Sequence, residues 1–181
     1  MKKKLLWITE TAIMLALLVT LQALTKGFSQ LVTGSCVNVV LAVAVLVGGM
    51  GCGVTVALIS PILAYLLGIA PNLVTVPAIM VGNTVYVLLM YFIAGKNSKQ
   101  VVRQVIAWLV SAAAKFASLY AIVVLLICGV LSESLLAAGT LKPPMLEKLP
   151  AMFTWPQLIT ALIGGAIALL IVPVLRKALH K

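Results

Sequence analysis

The chain has 181 residues, of which 64% are hydrophobic and 9% charged, with a formal net charge of +10 at pH 7. Apolar content on that scale excludes a soluble globular domain, and continuous apolar runs without alternation argue against a β-barrel; an all-α polytopic membrane protein, built as one transmembrane domain over 1–181, is the class that remains. The basic residues gather at the ends of apolar segments, which is a topology signal and not a nucleic-acid footprint.

Lys2, Lys3 and Lys4 precede about twenty mostly apolar residues, the length that crosses a ~30 Å hydrocarbon core. The opening has the basic start of a signal peptide. Its apolar run is longer than a usual h-region, and no small-x-small site follows at Leu24-Thr25-Lys26-Gly27, so it reads as a retained helix over 5–25. Ala12 and Ala16 lie four apart on one face of that helix and make a shallow strip where another helix can approach. The strip suits either a partner protein or packing within the chain.

Residues 26–35 read as a polar loop. The apolar stretch 36–67 would make a helix of ~48 Å, too long for one crossing. Gly48, Gly49, Gly51 and Gly53 interrupt it, so the expectation is a hairpin of two short helices, 36–48 and 53–67, around a tight turn. A fourth helix is expected over 73–94, after Gly68 to Asn72, and a fifth over 101–131, after the basic turn 95–100. Residues 132–155 form the longest loop, with Pro143, Pro144 and Pro150, and a sixth helix starts at Pro156 and ends near 175.

Six crossings place both termini on one side. Lys2, Lys3, Lys4, Lys96, Lys99, Arg103, Arg176, Lys177 and Lys181 then share that side, against Lys26, Lys142 and Lys148 on the other. Nine against three puts both termini in the cytoplasm, and a five-helix count would spoil the bias. The two halves show no internal repeat, which disfavours an inverted-repeat transporter.

Catalytic chemistry finds no support. The single histidine is His180, at the tail; aspartate is absent; and there is no His-Glu-x-x-His, Gly-x-Ser-x-Gly or phosphate-loop motif. Cys36, Cys52 and Cys128 are widely spaced and read as small apolar side chains, so no metal site or cofactor is expected. A small ion-coupled transporter or channel is a second class of function, but Glu10 is its one intramembrane acid.

Lys115 is the most informative residue. It stands ~18 Å along the fifth helix from Arg103, near mid-membrane, where a lysine costs several kcal/mol unless paired or hydrated. It is either a cationic anchor for a carboxylate or phosphate on a solute, or a structural group that pairs with Glu10 or snorkels to an interface. Asn83 falls at a similar depth on the antiparallel fourth helix, and suits a solute of mixed polarity or a helix–helix hydrogen bond. Toward the outer ends lie Asn38, Asn72, Tyr120 and Gln157, together with Tyr65, Thr75, Trp155 and Thr160; they line a pocket or anchor the chain at the interface.

The whole pattern resembles a substrate-binding S component of an energy-coupling factor (ECF) transporter. The resemblance rests on chain size, six crossings, basic termini, Thr11-Ala12-Ile13-Met14-Leu15-Ala16 on the first helix, the glycine turn, and Val81-Gly82-Asn83-Thr84-Val85-Tyr86. The family's Ala-x-x-x-Ala signature matches Ala12 and Ala16. It implies a multi-pass cell-membrane protein of prokaryotic type that binds a vitamin or similar micronutrient near the outer face. It further implies docking through Ala12 and Ala16 on a transmembrane coupling protein tied to two cytoplasmic ATPases. The loop 26–35 would act as a gate, and 132–155 would complete the lid. No pocket signature in the chain names the solute.

Overall fold

The computed structural model describes residues 2–70, 72–95 and 100–179. Lys96, Lys99 and Lys181, three of the charges used for topology, and His180 lie outside the described residues, as do the side chains of Lys2 and Lys3.

The described residues form helices throughout: α1 Lys2–Thr25, α2 Gln30–Gly48, α3 Met50–Leu66, α4 Thr75–Ala94, α5 Val101–Leu119, α6 Ser132–Ala137, α7 Pro143–Phe153 and α8 Trp155–Ala178. A π-helical stretch, Tyr120–Val130, continues α5. Five spans are long and apolar enough to cross a membrane, and α3 is a shorter apolar helix, consistent with a six-helix membrane protein.

The hairpin between α2 and α3 turns on one residue. Gly49 takes φ +88°, which only glycine adopts without strain, and Gly51 and Gly53 belong to α3. Gly53 is small because Val45 and Val87 close on it: a Cβ there would lie 2.7 Å from each.

Elsewhere the helices run further than apolarity alone indicates. α2 begins at Gln30, after Ser29 in an extended conformation, so the expected loop 26–35 shrinks to residues 26–29. The polar side chains of residues 30–35 marked the end of lipid burial, not the end of the helix. The expected loop 132–155 holds α6 and α7. Pro143 and Pro144 sit in the first turn of α7, where proline's fixed φ favours a helix start.

α2 lies at the centre, packed against α1, α3, α4 and α8, and α4 pairs extensively with α5. Its buried Leu41, Ala42, Ala44 and Val45 form the main core with Val56, Tyr86, Val87 and Ala168. A second core around Leu119, Val123, Leu141, Leu149 and Phe153 joins α7 to the π-helical stretch. The early part of α1 and the late part of α8 meet one end of this bundle: Arg176 on α8 donates to the Leu46 carbonyl (2.7 Å), and Glu10 on α1 approaches Gly48. Arg103 likewise donates to the Ile93 carbonyl (2.5 Å), and Lys26 to that of Leu67 (3.4 Å). Each cation thus meets the last carbonyls of a neighbouring helix, where the helix dipole is negative.

Candidate solute-binding site

At the end of the bundle opposite Glu10 and Arg176, seven helices line a cavity of about 150 Å³. α1 contributes Gln22; α2 contributes Gln30, Thr33, Gly34, Val37 and Asn38; α3 contributes Ser60, Pro61 and Ala64. Ile79 and Asn83 of α4, Lys115 of α5, Met152 and Phe153 of α7, and Gln157 of α8 complete the wall, with Ile69 and Ala70 from the α3–α4 connection.

Lys115 is the centre of the polar part. Its side chain is 3% exposed, and its ammonium donates to Asn38 Oδ1 and to Asn83 Oδ1, each at 2.7 Å. It also stands 5.6 Å from the centre of the Tyr86 ring, within the range where an aromatic face stabilises a cation. A lysine has three N–H donors, so two carbonyl partners leave one for a solute. Asn38 is itself held in place: its amide donates to the Gly34 carbonyl (2.9 Å) and reaches Thr160 Oγ1 (3.4 Å). The pairing of Lys115 with Glu10 is not made. Glu10 lies against Gly48, ~15 Å along α2 from Asn38.

This close convergence depends on two glycines. Gly164 lets α8 lie against Asn38 and the Ser35 carbonyl, and Gly82 lets the Leu119 side chain seat against α4.

At the cavity's mouth two glutamines hold one carbonyl. Gln30 Nε2 (2.6 Å) and Gln157 Nε2 (3.2 Å) both donate to the Met152 carbonyl, at the end of α7. Thr33 donates to the Thr25 carbonyl (2.9 Å), tying the first turns of α2 to the end of α1.

Of the residues singled out from the sequence, Lys115, Asn83, Asn38 and Gln157 meet at this cavity, and Asn72 and Tyr120 stand away from it. Asn72 accepts from the Val74 backbone N–H (3.0 Å) and donates to the Thr140 carbonyl (3.4 Å), tying the start of α4 to the connection between α6 and α7. Tyr120 is 37% exposed and tilts against Phe116, which in turn stacks on Trp155. Gln22, Gln30, Thr33 and Ser60 line the cavity without having drawn attention in the sequence. A glutamine in the mostly apolar second half of α1 was the available signal for Gln22.

The small-residue strip of α1 is open. Ala12 and Ala16 are exposed, beside exposed Ile13 and Leu17, and α1 is the least buried of the five long spans.

A family model described as ECF transporter, substrate-specific component, matches residues 7–176. No curated protein and no solved structure matches the chain. The match spans nearly the whole chain, and the chain belongs to the substrate-specific components of ECF transporters, which are membrane substrate-binding proteins and not enzymes.

Proposed function

We propose that the chain captures a small micronutrient of the vitamin class from the outer side of a cell membrane, in the cavity around Lys115. It then passes the solute inward while docked on a transmembrane coupling protein powered by two cytoplasmic ATPases. The observation that carries this reading is a buried ammonium held by Asn38 and Asn83 at the wall of a cavity. Burying a charge is costly unless it has partners, and a site retains such a group where it meets a ligand.

The excess of basic residues near both termini supports a cytoplasmic placement of the end where Arg176 and Glu10 lie, which turns the cavity outward. The exposed Ala12–Ala16 face supports docking of a second membrane helix on α1. The α6–α7 segment, clasped at Met152 by Gln30 and Gln157, suits a lid whose opening breaks two hydrogen bonds. An ion-coupled mechanism is less well supported, since no carboxylate lines the cavity among the described residues.

The test is a thermal-shift screen of vitamins on the purified chain, because a ligand that binds the folded state alone raises Tm. Ala12→Trp separates capture from docking. The variant keeps its Tm shift with solute and loses co-purification with the ATPases. Retained assembly would place the strip's role inside the chain.

A further inference from the structure

Two polar atoms of the cavity have no partner. Gln22 Oε1 and Ser60 Oγ are buried and make no hydrogen bond, although their residues are 8% and 2% exposed and both line the cavity. The helical hydroxyls of Thr9, Thr11, Thr25 and Ser118 bond the carbonyl one turn back. Ser60 does not, and neither do Ser35, Thr84 and Ser111, but of these four Ser60 alone lines the cavity. A buried polar atom without a partner is disfavoured in the empty protein and is satisfied when something occupies the space before it.

Position relates these atoms to Lys115. Val45 packs on Gly53 across the α2–α3 hairpin, and equal steps along the two arms bring Asn38 opposite Ser60. Ser60 therefore lies at the depth of the Lys115 cluster, on the α3 wall of the cavity. Gln22 sits about a turn nearer the mouth, because Lys26, one turn further along α1, reaches Leu67. The rest of the wall holds apolar Val37, Pro61, Ala64, Ile79 and Phe153 together with Gln30, Thr33 and Gln157.

We infer that Gln22 and Ser60 form a second pole of the site that reads an N–H or O–H donor on the solute, while Lys115 takes its anionic end. The solute is then a small monocarboxylate with a short apolar body and a donor group on the far side. Lys115 is the one charged side chain among the described residues lining the cavity, so it balances a single negative charge. A phosphate dianion would leave a second charge buried without compensation. The cavity of about 150 Å³ is small beside the ~300 Å³ at which drug-sized sites begin and is open at its mouth, which suits a small solute whose body extends into the opening. The inference rests on the capture function proposed above and names the substrate class for that site.

The experiment uses the full chain in detergent with three acids: pantothenate and biotin, which carry donors at a distance from the carboxylate, and hexanoate, which carries none. Pantothenol and biotin methyl ester are the uncharged counterparts. The expected result is a Tm increase with a donor-bearing acid and little with its uncharged counterpart or with hexanoate. Gln22→Leu and Ser60→Ala each weaken that acid about tenfold, the size of one hydrogen bond. Ser60→Ala also raises the Tm of the empty protein, because it removes an unpaired buried hydroxyl; this arm needs no ligand. Equal stabilisation by acid and uncharged counterpart overturns the anionic end at Lys115; an equal response to hexanoate, unchanged affinity in both variants, or a lower Tm of empty Ser60→Ala each overturns the second pole; all of these leave capture standing. No stabilisation by any of the five compounds overturns capture of such solutes at this cavity, and the inference with it.

Discussion

Gly164→Ala tests packing and site together. A Cβ at Gly164 would lie 2.5 Å from Asn38 Cβ, 2.6 Å from the Ser35 carbonyl oxygen and 2.9 Å from Val39 N. Two of these are backbone atoms of α2, which cannot swing aside as a side chain can. Carbon atoms pack comfortably near 3.5 Å, so α2 and α8 must part by roughly 1 Å. Overpacking of this kind costs about 1–3 kcal/mol. The same displacement carries Asn38 with it and stretches its 2.7 Å bond from Lys115 toward the limit of hydrogen bonding. The expected outcome is a Tm several degrees lower, read by tryptophan fluorescence in detergent, together with weaker solute binding. Gly27→Ala is the matched control, because nothing lies within 4 Å of a Cβ there. If Gly164→Ala melts with the parent and binds solute equally well, the close approach of α2 and α8 does not set the site.

Other perturbations separate chemistry from scaffold. Lys115→Met keeps bulk and removes the ammonium from Asn38 and Asn83. Affinity for an anionic solute falls by about tenfold or more, since hydrogen bonds to charged groups contribute about 1.5–3 kcal/mol; calorimetry showing unchanged affinity would make Lys115 structural. Asn72→Ala loses the bond to the Val74 N–H and lowers stability by about 1 kcal/mol, as loss of a helix cap does, with no change in solute affinity. Weaker binding by that variant would bring Asn72 into the site after all.

Much of the fold was legible in one dimension. Continuous apolar runs record which segments lie in lipid, and a run too long for one crossing needs a break, which the glycine cluster supplied. The break narrowed to Gly49, because a single positive φ reverses the chain while Gly51 and Gly53 serve close packing inside α3. Helix ends were less legible. Residues 30–35 and α7 are helical without being continuously apolar, and hydropathy reports burial in lipid, not backbone hydrogen bonding.

The candidate site divides in the same way. A lysine near mid-membrane is conspicuous by its cost, and Asn83 could be matched to it by counting residues along antiparallel helices. Which outer-end polar residues join them could not be counted. Asn38 and Gln157 face the cavity, Asn72 turns to its own backbone, and Tyr120 turns outward onto Phe116. Gln22 and Ser60 were invisible as a pair because they sit on different helices.

The sequence alone therefore determined that the chain is helical, spans a membrane in six passes and carries a lysine within an apolar span, since each follows from local hydropathy. Only the tertiary structure decided that Lys115 is buried and which side chains share the cavity with it. That depends on how each helix is rotated about its axis against its neighbours, and glycine contacts such as Gly53 on Val45 and Gly164 on Asn38 set that rotation.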